Sequence, residues 1–188
     1  MSHPIQADFV FFYYSIIYRT DVFNEIDIKK ILDEMNPSDR QSILPPWILF
    51  APSFNPLLDY YSHEMGTPTN LKRVMALRYE TAPRENLVEK KITAYEMEQK
   101  WINNSDQKKV RQINIDVGFI SLEQVVLATF KPYYHRVLIG QSVYLELELY
   151  YQQKSFIPFP WSYPDYQHLE KIAFFNSHRM ELKQLIRS

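Results

Sequence analysis

The stretch NIDVGFISLEQVVLATFKPYYHRVLIG, residues 114–140, carries the strongest local signals of this sequence. The alternation of apolar and polar residues that runs from Val110 to Asp116 is typical of a strand, and Gly118 is expected to turn the chain. The Ser-x-x-Gln spacing at the start of residues 121–129 matches a helix capping box and predicts a short helix there. A loop with three basic side chains follows, Lys131, His135 and Arg136. The stretch therefore predicts a turn, a helix and a basic loop in quick succession.

Outside this stretch, periodicity predicts a β-α-β-β-α-β order, extended by the short helix, a β-hairpin and a C-terminal helix. The other predicted strands are Phe9–Tyr18, an edge strand within PPWILFAPSFNP at 45–56, Leu71–Glu80, His135–Ile139 and Ser142–Gln152. The other predicted helices run from Asn24 or Asp27 to Met35, from Arg84 to Ile102 and from His168 to Ile186.

This order is that of a ferredoxin-like, split βαβ unit. The expected fold class is therefore α+β, with the helices mainly on one face of the sheet. The length of 188 residues, of which 46% are hydrophobic, predicts one soluble domain over residues 1–188. Within it, residues 1–8 are expected to form a loose N-terminal tail.

Composition excludes several classes of function. A formal net charge of -1 argues against capture of nucleic acid or of an anionic membrane, which requires a basic surface. Because there is no cysteine, disulfides, thiolate catalysis and cysteine-based zinc sites are excluded. The N-terminal apolar run lacks signal-peptide features and is shorter than the ~20 residues of a membrane span, so the cytoplasm is the expected location.

Glycine is scarce, which bears directly on nucleotide binding. The three glycines, Gly66, Gly118 and Gly140, are far apart in the sequence. A phosphate-binding loop of the Rossmann or P-loop type needs several glycines close together. Any nucleotide or phosphate site must therefore be built from side chains.

Strand parity indicates where such side chains lie. In a strand, successive side chains point to opposite faces, so the polar residues that alternate with an apolar set share one face. The face of the sheet without helices is then expected to carry Arg78, Asn114, Asp116, Tyr144, Glu146 and Glu148. A merely solvated face and a binding site are both compatible with this pattern.

The predicted helix from Arg84 to Ile102 has two charged residues within its apolar stripe, Lys91 and Glu98. Their spacing of two helical turns directs both side chains toward one polar centre. A buried charge usually pairs with an opposite charge or extends its polar end to water, so a structural pairing is slightly favoured over a functional one.

Five segments resemble motifs of DUF4416, a bacterial and archaeal family of domains of unknown function. They are DYYSHEMG at 59–66, NIDVGFI at 114–120, VLATFKPYYHRVLI at 126–139, VYLELELYY at 143–151 and PWSYPDY at 160–166. The family pattern is approximately YY..EMG, N-D-P-G, LAT.K followed by HR, IY.E and W.YPDY, and the resemblance extends from Phe9 to the C-terminal helix. This chain departs from it with Val117 for the turn proline, Phe119 for a tyrosine and Ser142 for a glycine.

The resemblance implies no established activity, but it marks a set of polar positions. These are Tyr60, Tyr61, Glu64, Arg73, Lys91, Glu98, Asn114, Asp116, Lys131, His135, Arg136, Tyr144, Glu146 and Asp165. Strand parity and helical periodicity select several of the same residues independently.

Carboxylates beside arginine, lysine and histidine suit a phosphorylated small molecule or a nucleotide, because cations neutralise phosphate oxygens and carboxylates can hold Mg²⁺. We assign candidate catalytic roles to His135, Asp116 and Glu146, with His135 as general acid or base. The candidate ligands of a Mg²⁺ cofactor are Glu64, Asp116 and Glu146. The candidate ligand-binding residues are Tyr60, Tyr61, Glu64, Arg73, Lys91, Asn114, Lys131, Arg136 and Tyr144.

The competing interpretation is a non-catalytic module in which the same charges form a buried ion-pair network. In that case the aromatic surface and the segment PWSYPDY would dock a protein partner or a second copy of the chain. The sequence leaves catalysis, the identity of the ligand and the oligomeric state open.

Overall fold

The central element is strand β1, Val10–Arg19, which is buried on both of its faces. The computed structural model describes residues 9–37, 45–52, 64–66, 69–103 and 110–187. Within them, β1 belongs to an antiparallel sheet of eight strands in the spatial order β10-β9-β7-β6-β1-β3-β2, with β8 paired to β9. The bounds of its other strands are β2 Ile48–Phe50, β3 Leu71–Ala82, β6 Ile113–Ile120, β7 Gln124–Thr129, β8 Arg136–Gly140, β9 Val143–Gln152 and β10 Ser155–Pro158.

Three helices are present in the described residues: α1 Glu25–Met35, α2 Leu87–Lys100 and α3 Leu169–Leu185. Short 3₁₀ turns precede α2 at Arg84–Asn86 and α3 at Pro164–Gln167. Strands β4 (Ile102–Asn103) and β5 (Val110–Arg111) form a separate two-stranded pair. No helix among the described segments has the length and apolar character needed to cross a membrane. The α+β class is confirmed.

Two of the three described helices, α1 and α2, lie on one face of the sheet, and the C-terminal helix α3 covers the other face. Helices α1 and α2 pack on the even-numbered side chains of β1, such as Phe12 and Ile16. The odd-numbered side chains Phe11 and Tyr13 pack against α3, through residues such as Phe175. The central strand β1 is therefore buried on both faces.

Residues 121–129 form a turn and strand β7, and the prediction of a short helix there is wrong. The hydroxyl of Ser121 does accept two backbone N–H groups, from Glu123 and Gln124, at 3.1 Å each. This is the same local hydrogen bonding that begins a helix, but here it closes the β6–β7 hairpin. The β-branched pair Val125 and Val126 then continues as a strand, where such side chains pack well.

Gly118 lies inside β6, so the prediction that it turns the chain is wrong. The ring of Tyr13 crosses over this residue to donate its hydroxyl to the Val126 carbonyl at 3.0 Å. A methyl group at position 118 would overlap both the ring and that carbonyl oxygen. The glycine is therefore required for the close approach of a buried side chain.

The hairpin predicted around Gly140 is confirmed, and its turn has a specific backbone form. Gln141 and Ser142 both have positive φ angles, 46° and 61°. Two successive residues with positive φ are the mark of the type I′ turn that joins twisted antiparallel strands. The edge strand β2, the capping of α1 by Asn24 and the C-terminal helix also agree with the predictions.

Candidate functional site

The predicted polar face is real, but the C-terminal segment covers it. Asn114 and Asp116 lie opposite Ile17 and Ser15 of β1, on the face that packs against the turn at 164–167 and α3. Glu146 lies on the same face, opposite Leu127 of β7. The assignment of Arg78 to this face is wrong, because its guanidinium binds Asp33 of α1 at 2.5 Å on the other side.

A first group of charges lies where β6 lacks a neighbouring strand. The β6–β7 pairing covers only residues 117–120 of β6. Beside the unpaired part, Glu98 accepts the Ile115 N–H at 2.5 Å, and Lys91 donates to the Ile115 carbonyl at 3.1 Å. Both side chains come from α2 and are almost fully buried. The two side chains bond the backbone groups of Ile115 that a neighbouring strand would otherwise bond. The polar centre predicted from their spacing is therefore the backbone of this one residue at the sheet edge.

Around this pair lies a more exposed layer. Arg111 binds the carboxylate of Glu64 and lies 3.3 Å from Glu98. It also donates to the Asn114 side chain at 3.0 Å, which in turn donates to Asp116 at 3.0 Å. We call Glu64, Lys91, Glu98, Arg111, Asn114 and Asp116 the edge cluster. Burial raises the pKa of Glu98, while the charge of Lys91 opposes the rise.

A second group is organised by Glu146, whose side chain is only 1% exposed. Its two oxygens bind different partners, His135 Nε2 at 2.6 Å and Arg136 Nε at 3.0 Å. The His135 ring stacks on Trp161, and the other end of Arg136 donates to the Tyr163 hydroxyl at 3.0 Å. In the described part of the chain, buried Nδ1 of His135 has no hydrogen-bond partner.

Asp165, in the turn that precedes α3, organises the adjoining charges. Arg73 of β3 and Lys171 of α3 both bind the same oxygen, Asp165 Oδ2. Lys171 is 1% exposed, and burial lowers its pKa to about 8 although Asp165 opposes the shift. The pKa of Asp165 is also lowered, because the two cations outweigh its burial.

Glu148 is the most deeply buried carboxyl of this face, with no exposed surface. It fixes the C-terminal segment: its Oε2 accepts the Tyr163 N–H at 3.1 Å, and its backbone carbonyl accepts the Ser162 hydroxyl. Its Oε1 has no partner among the described residues. Burial, followed by the charge of Glu146, raises the pKa of Glu148 to about 8, so the group is largely neutral at pH 7.

The groups around Glu146 and Asp165, together with Glu148, form the C-terminal cluster, which comprises Arg73, His135, Arg136, Glu146, Glu148, Tyr163, Asp165 and Lys171. It adjoins the edge cluster through Lys131. The carbonyl of Lys131 accepts from Arg136 at 2.8 Å, and its ammonium lies 3.9 Å from Glu64. Burial raises the pKa of Tyr163, and the negative charge of Asp116 adds to the rise.

The structure thus brings most of the candidate site residues into two adjoining clusters. Tyr144 has the parity of Glu146 but makes no side-chain hydrogen bond within the described residues. Tyr60 and Tyr61 lie outside those residues. For the residues that are described, no three histidine or acidic side chains are placed to hold a metal ion. Glu64, Asp116 and Glu146 are instead engaged by cations and amides.

Six members of the clusters were not among the candidate site residues: Glu98, Arg111, Glu148, Tyr163, Asp165 and Lys171. The family resemblance had marked Glu98 and Asp165 as polar positions without giving them a role. For Lys171 a signal was available. It falls within the buried stripe of α3 that includes Phe174, Phe175, His178 and Leu182, just as Lys91 falls within that of α2. Glu148 had the right strand parity, and Tyr163 belongs to the motif PWSYPDY.

Comparison with known proteins and protein families identifies the family of this chain. No curated protein and no solved structure matches this chain. The family model described as Domain of unknown function (DUF4416) matches residues 10–181. Because the match spans every strand of the sheet and most of α3, including both clusters, the chain belongs to the DUF4416 family.

Proposed function

We propose that this protein binds a small molecule with a phosphate or another acidic group at the C-terminal cluster. The observation that carries the proposal is the shared use of Asp165 Oδ2 by Arg73 and Lys171. Two cations thus converge on one carboxylate oxygen, and such a local concentration of positive charge suits an anionic ligand. Asp165 is 26% exposed, so an anion from solvent can approach this point.

Glu148 and Glu146 are the other acids of the C-terminal cluster. Glu148, a fully buried carboxyl, is mostly uncharged at pH 7 because burial raises its pKa to about 8. Glu146 already binds Arg136 and His135. Guanidinium groups held in this way are preorganised to recognise the oxygens of a phosphate or carboxylate.

His135 supplies the group for proton transfer in this proposal. Its Nε2 is held by Glu146, and the stack on Trp161 fixes the plane of its ring. Nδ1 is therefore the nitrogen that can exchange a proton with a bound ligand. Asp116, whose side chain is 36% exposed, is the second candidate for such a role.

Thermal-shift and calorimetric titrations with inorganic phosphate, nucleotides and sugar phosphates, each with and without Mg²⁺, test the proposal. We expect a member of this set to raise the melting temperature, and Arg73→Gln to abolish that rise. The matched control is Arg84→Gln, which removes another partly exposed arginine paired with a glutamate, Glu123. If none of these anions binds the wild-type protein, the proposal is wrong.

A second candidate function is that of a structural module whose charges only connect the elements of the fold. The bonds of Lys91 and Glu98 to the backbone of Ile115 favour this interpretation for the edge cluster. It predicts that Arg73→Gln destabilises the protein while no anion binds. The same two measurements therefore separate the two functions.

We also infer that the elements from β1 to β6 form a ferredoxin-like unit to which β7, β9 and β10 add. The spatial order β6-β1-β3-β2, with antiparallel neighbours throughout, supports this relation. The C-terminal cluster would then lie where the added strands and α3 cover the face of that unit opposite α1 and α2.

A further inference from the structure

The acid is the most exposed member of the group formed by Arg73, Asp165 and Lys171. The side chain of Asp165 is 26% exposed, whereas those of Arg73 and Lys171 are 10% and 1% exposed. The ammonium of Lys171 also lies over the ring of Tyr166, 4.5 Å from its centroid. A solute that approaches from water therefore meets the carboxylate before it meets either cation.

This carboxylate is ionised, which restricts the anions that can lie beside it. Burial opposes the ionisation of Asp165, but the charges of Lys171 and Arg73 outweigh burial and lower its pKa. An ionised carboxylate accepts hydrogen bonds and donates none. An anion without a proton would place bare oxygens beside this acceptor, so like charges would meet with no hydrogen bond between them. An anion that has a hydroxyl can donate to Asp165 while its other oxygens accept from the cations.

An anion that reaches either cation also lies close to Asp165. Lys171 Nζ is 2.5 Å from Asp165 Oδ2, and Arg73 bonds the same oxygen. An anion oxygen that bonds one of these nitrogens is therefore a near neighbour of Oδ2. Both oxygens of Glu146 are already bonded, and Glu148 is mostly protonated at pH 6 because burial raises its pKa to about 8. Asp165 is thus the acid of the C-terminal cluster that is placed to accept a proton from a ligand.

We propose that the ligand carries a phosphate group that retains a proton, with Asp165 accepting from its P–OH and with Arg73 and Lys171 donating to its other oxygens. This selectivity rests on the anion site proposed for the C-terminal cluster. Inorganic phosphate and the singly protonated form of a phosphate monoester share the required chemistry. Sulfate has the same tetrahedral shape but no proton, so the site discriminates against it by leaving Asp165 without a donor.

Isothermal titration calorimetry of the wild-type protein at pH 6 and constant ionic strength tests this selectivity, with inorganic phosphate, sulfate and methyl phosphate as probes. Sulfate carries more negative charge than inorganic phosphate at this pH, so attraction to the cations alone would favour sulfate. We expect phosphate to bind at least about tenfold more tightly than sulfate, because a site that bonds a hydroxyl rejects an analogue without one.

Methyl phosphate distinguishes the two sources of the phosphate group. With a second pKa of about 6, roughly half of a phosphate monoester retains its proton at pH 6. Binding of methyl phosphate comparable to that of inorganic phosphate identifies an ester as the ligand, and binding of inorganic phosphate alone identifies the free ion. Both results agree with the proposal, since both ligands have the P–OH.

Asp165→Asn replaces the ionised acceptor with an amide that can donate, so the ratio of phosphate affinity to sulfate affinity should fall by at least about tenfold. The matched control is Asp33→Asn, which alters another carboxylate paired with a buried arginine, Arg78, on the opposite face of the sheet. It should leave the ratio unchanged. Circular dichroism establishes whether both variants are folded, and the comparison in the wild type decides the matter if Asp165→Asn does not fold.

Equal binding of phosphate and sulfate to the wild type overturns the selectivity and leaves the anion site in place. A ratio that is unchanged in folded Asp165→Asn overturns the role of Asp165. Absence of binding by all three probes also overturns the selectivity, whereas the anion site itself fails only if the nucleotides and sugar phosphates do not bind either.

Discussion

The edge cluster and the C-terminal cluster contain the same types of residue but use them differently. In the edge cluster, Lys91 and Glu98 bind the backbone of one residue, Ile115, and complete the sheet. In the C-terminal cluster, Arg73 and Lys171 bind one oxygen of a side chain, Asp165. The charges of the edge cluster are therefore held by the backbone of the sheet, whereas the two cations of the C-terminal cluster are held by a single side chain.

The largest loss of stability is expected in the edge cluster, where charged side chains bond the backbone in place of a neighbouring strand. Glu98→Ala leaves the buried Ile115 N–H without its acceptor, removes one carboxylate from Arg111 and takes away the negative charge near buried Lys91. Removal of one member of a buried pair typically costs about 3–5 kcal/mol, and we expect a loss of this size in the free energy of unfolding, measured in urea.

A surface pair is the control for that measurement. Lys100 and Glu34 lie 2.5 Å apart with both side chains 58% exposed. Glu34→Ala should cost no more than about 1 kcal/mol, because water screens the pair. Equal losses for Glu98→Ala and Glu34→Ala would contradict the structural role of the edge cluster.

The next largest effect is the dependence of stability on pH that Glu148 of the C-terminal cluster produces. Because burial raises the pKa of Glu148 to about 8, the unfolded chain releases this proton near pH 4.5, whereas the folded chain holds it until about pH 8. The contribution of Glu148 to stability is complete below pH 4.5 and is lost as the pH rises toward 8. Glu148→Gln removes this loss, so at pH 8 we expect the variant to be more stable by a few kcal/mol, on the order of 1.4 kcal/mol per pKa unit.

Urea unfolding at pH 5 and at pH 8 measures the difference. The gain of Glu148→Gln over wild type should be larger at pH 8 than at pH 5. A constant difference between the two proteins at both pH values would show that Glu148 does not hold its proton in the folded state.

A smaller effect is expected at the contact between the two sides of the C-terminal cluster. Tyr163→Phe removes the hydroxyl that accepts from Arg136 at 3.0 Å but keeps the ring. The loss of one such hydrogen bond costs about 1 kcal/mol. Tyr14→Phe, which removes the bond from Tyr14 to Asn36 on the other face, is the comparison. If the cluster binds a ligand, only Tyr163→Phe should also change the affinity.

Much of this contrast was accessible from the sequence, because it depends on periodicity. The two-turn spacing of Lys91 and Glu98 identified their common centre, and strand parity placed Asn114, Asp116 and Glu146 on one face. Periodicity could not show which face the helices cover, since β1 and much of β3 are buried on both faces. Arg78 was placed on the wrong face for that reason.

The errors in residues 114–129 have a different cause. A Ser-x-x-Gln pattern makes the same local hydrogen bonds in a turn and at the start of a helix, and only the strand partner β9 decides between them. A lone glycine equally suits a turn and a close approach. At Gly118 the deciding contact is with Tyr13, more than a hundred residues away in the sequence. Long-range contacts of this kind leave no local signal.

The smallest effect is expected from the residue that looks most costly to remove. Lys171 is 1% exposed and binds Asp165 at 2.5 Å, yet burial lowers its pKa to about 8. A lowered pKa means that the folded state disfavours the charged lysine below pH 8, and that this cost disappears as the pH rises from 8 to 10.5. Lys171→Met removes the cost, and Arg73 still neutralises Asp165. At pH 7 we therefore expect a change in unfolding free energy of less than about 1 kcal/mol, whereas Asp165→Asn, which leaves two buried cations together, should cost more. A large loss for Lys171→Met would show that both cations are needed to hold the fold, and the C-terminal cluster would then resemble the edge cluster.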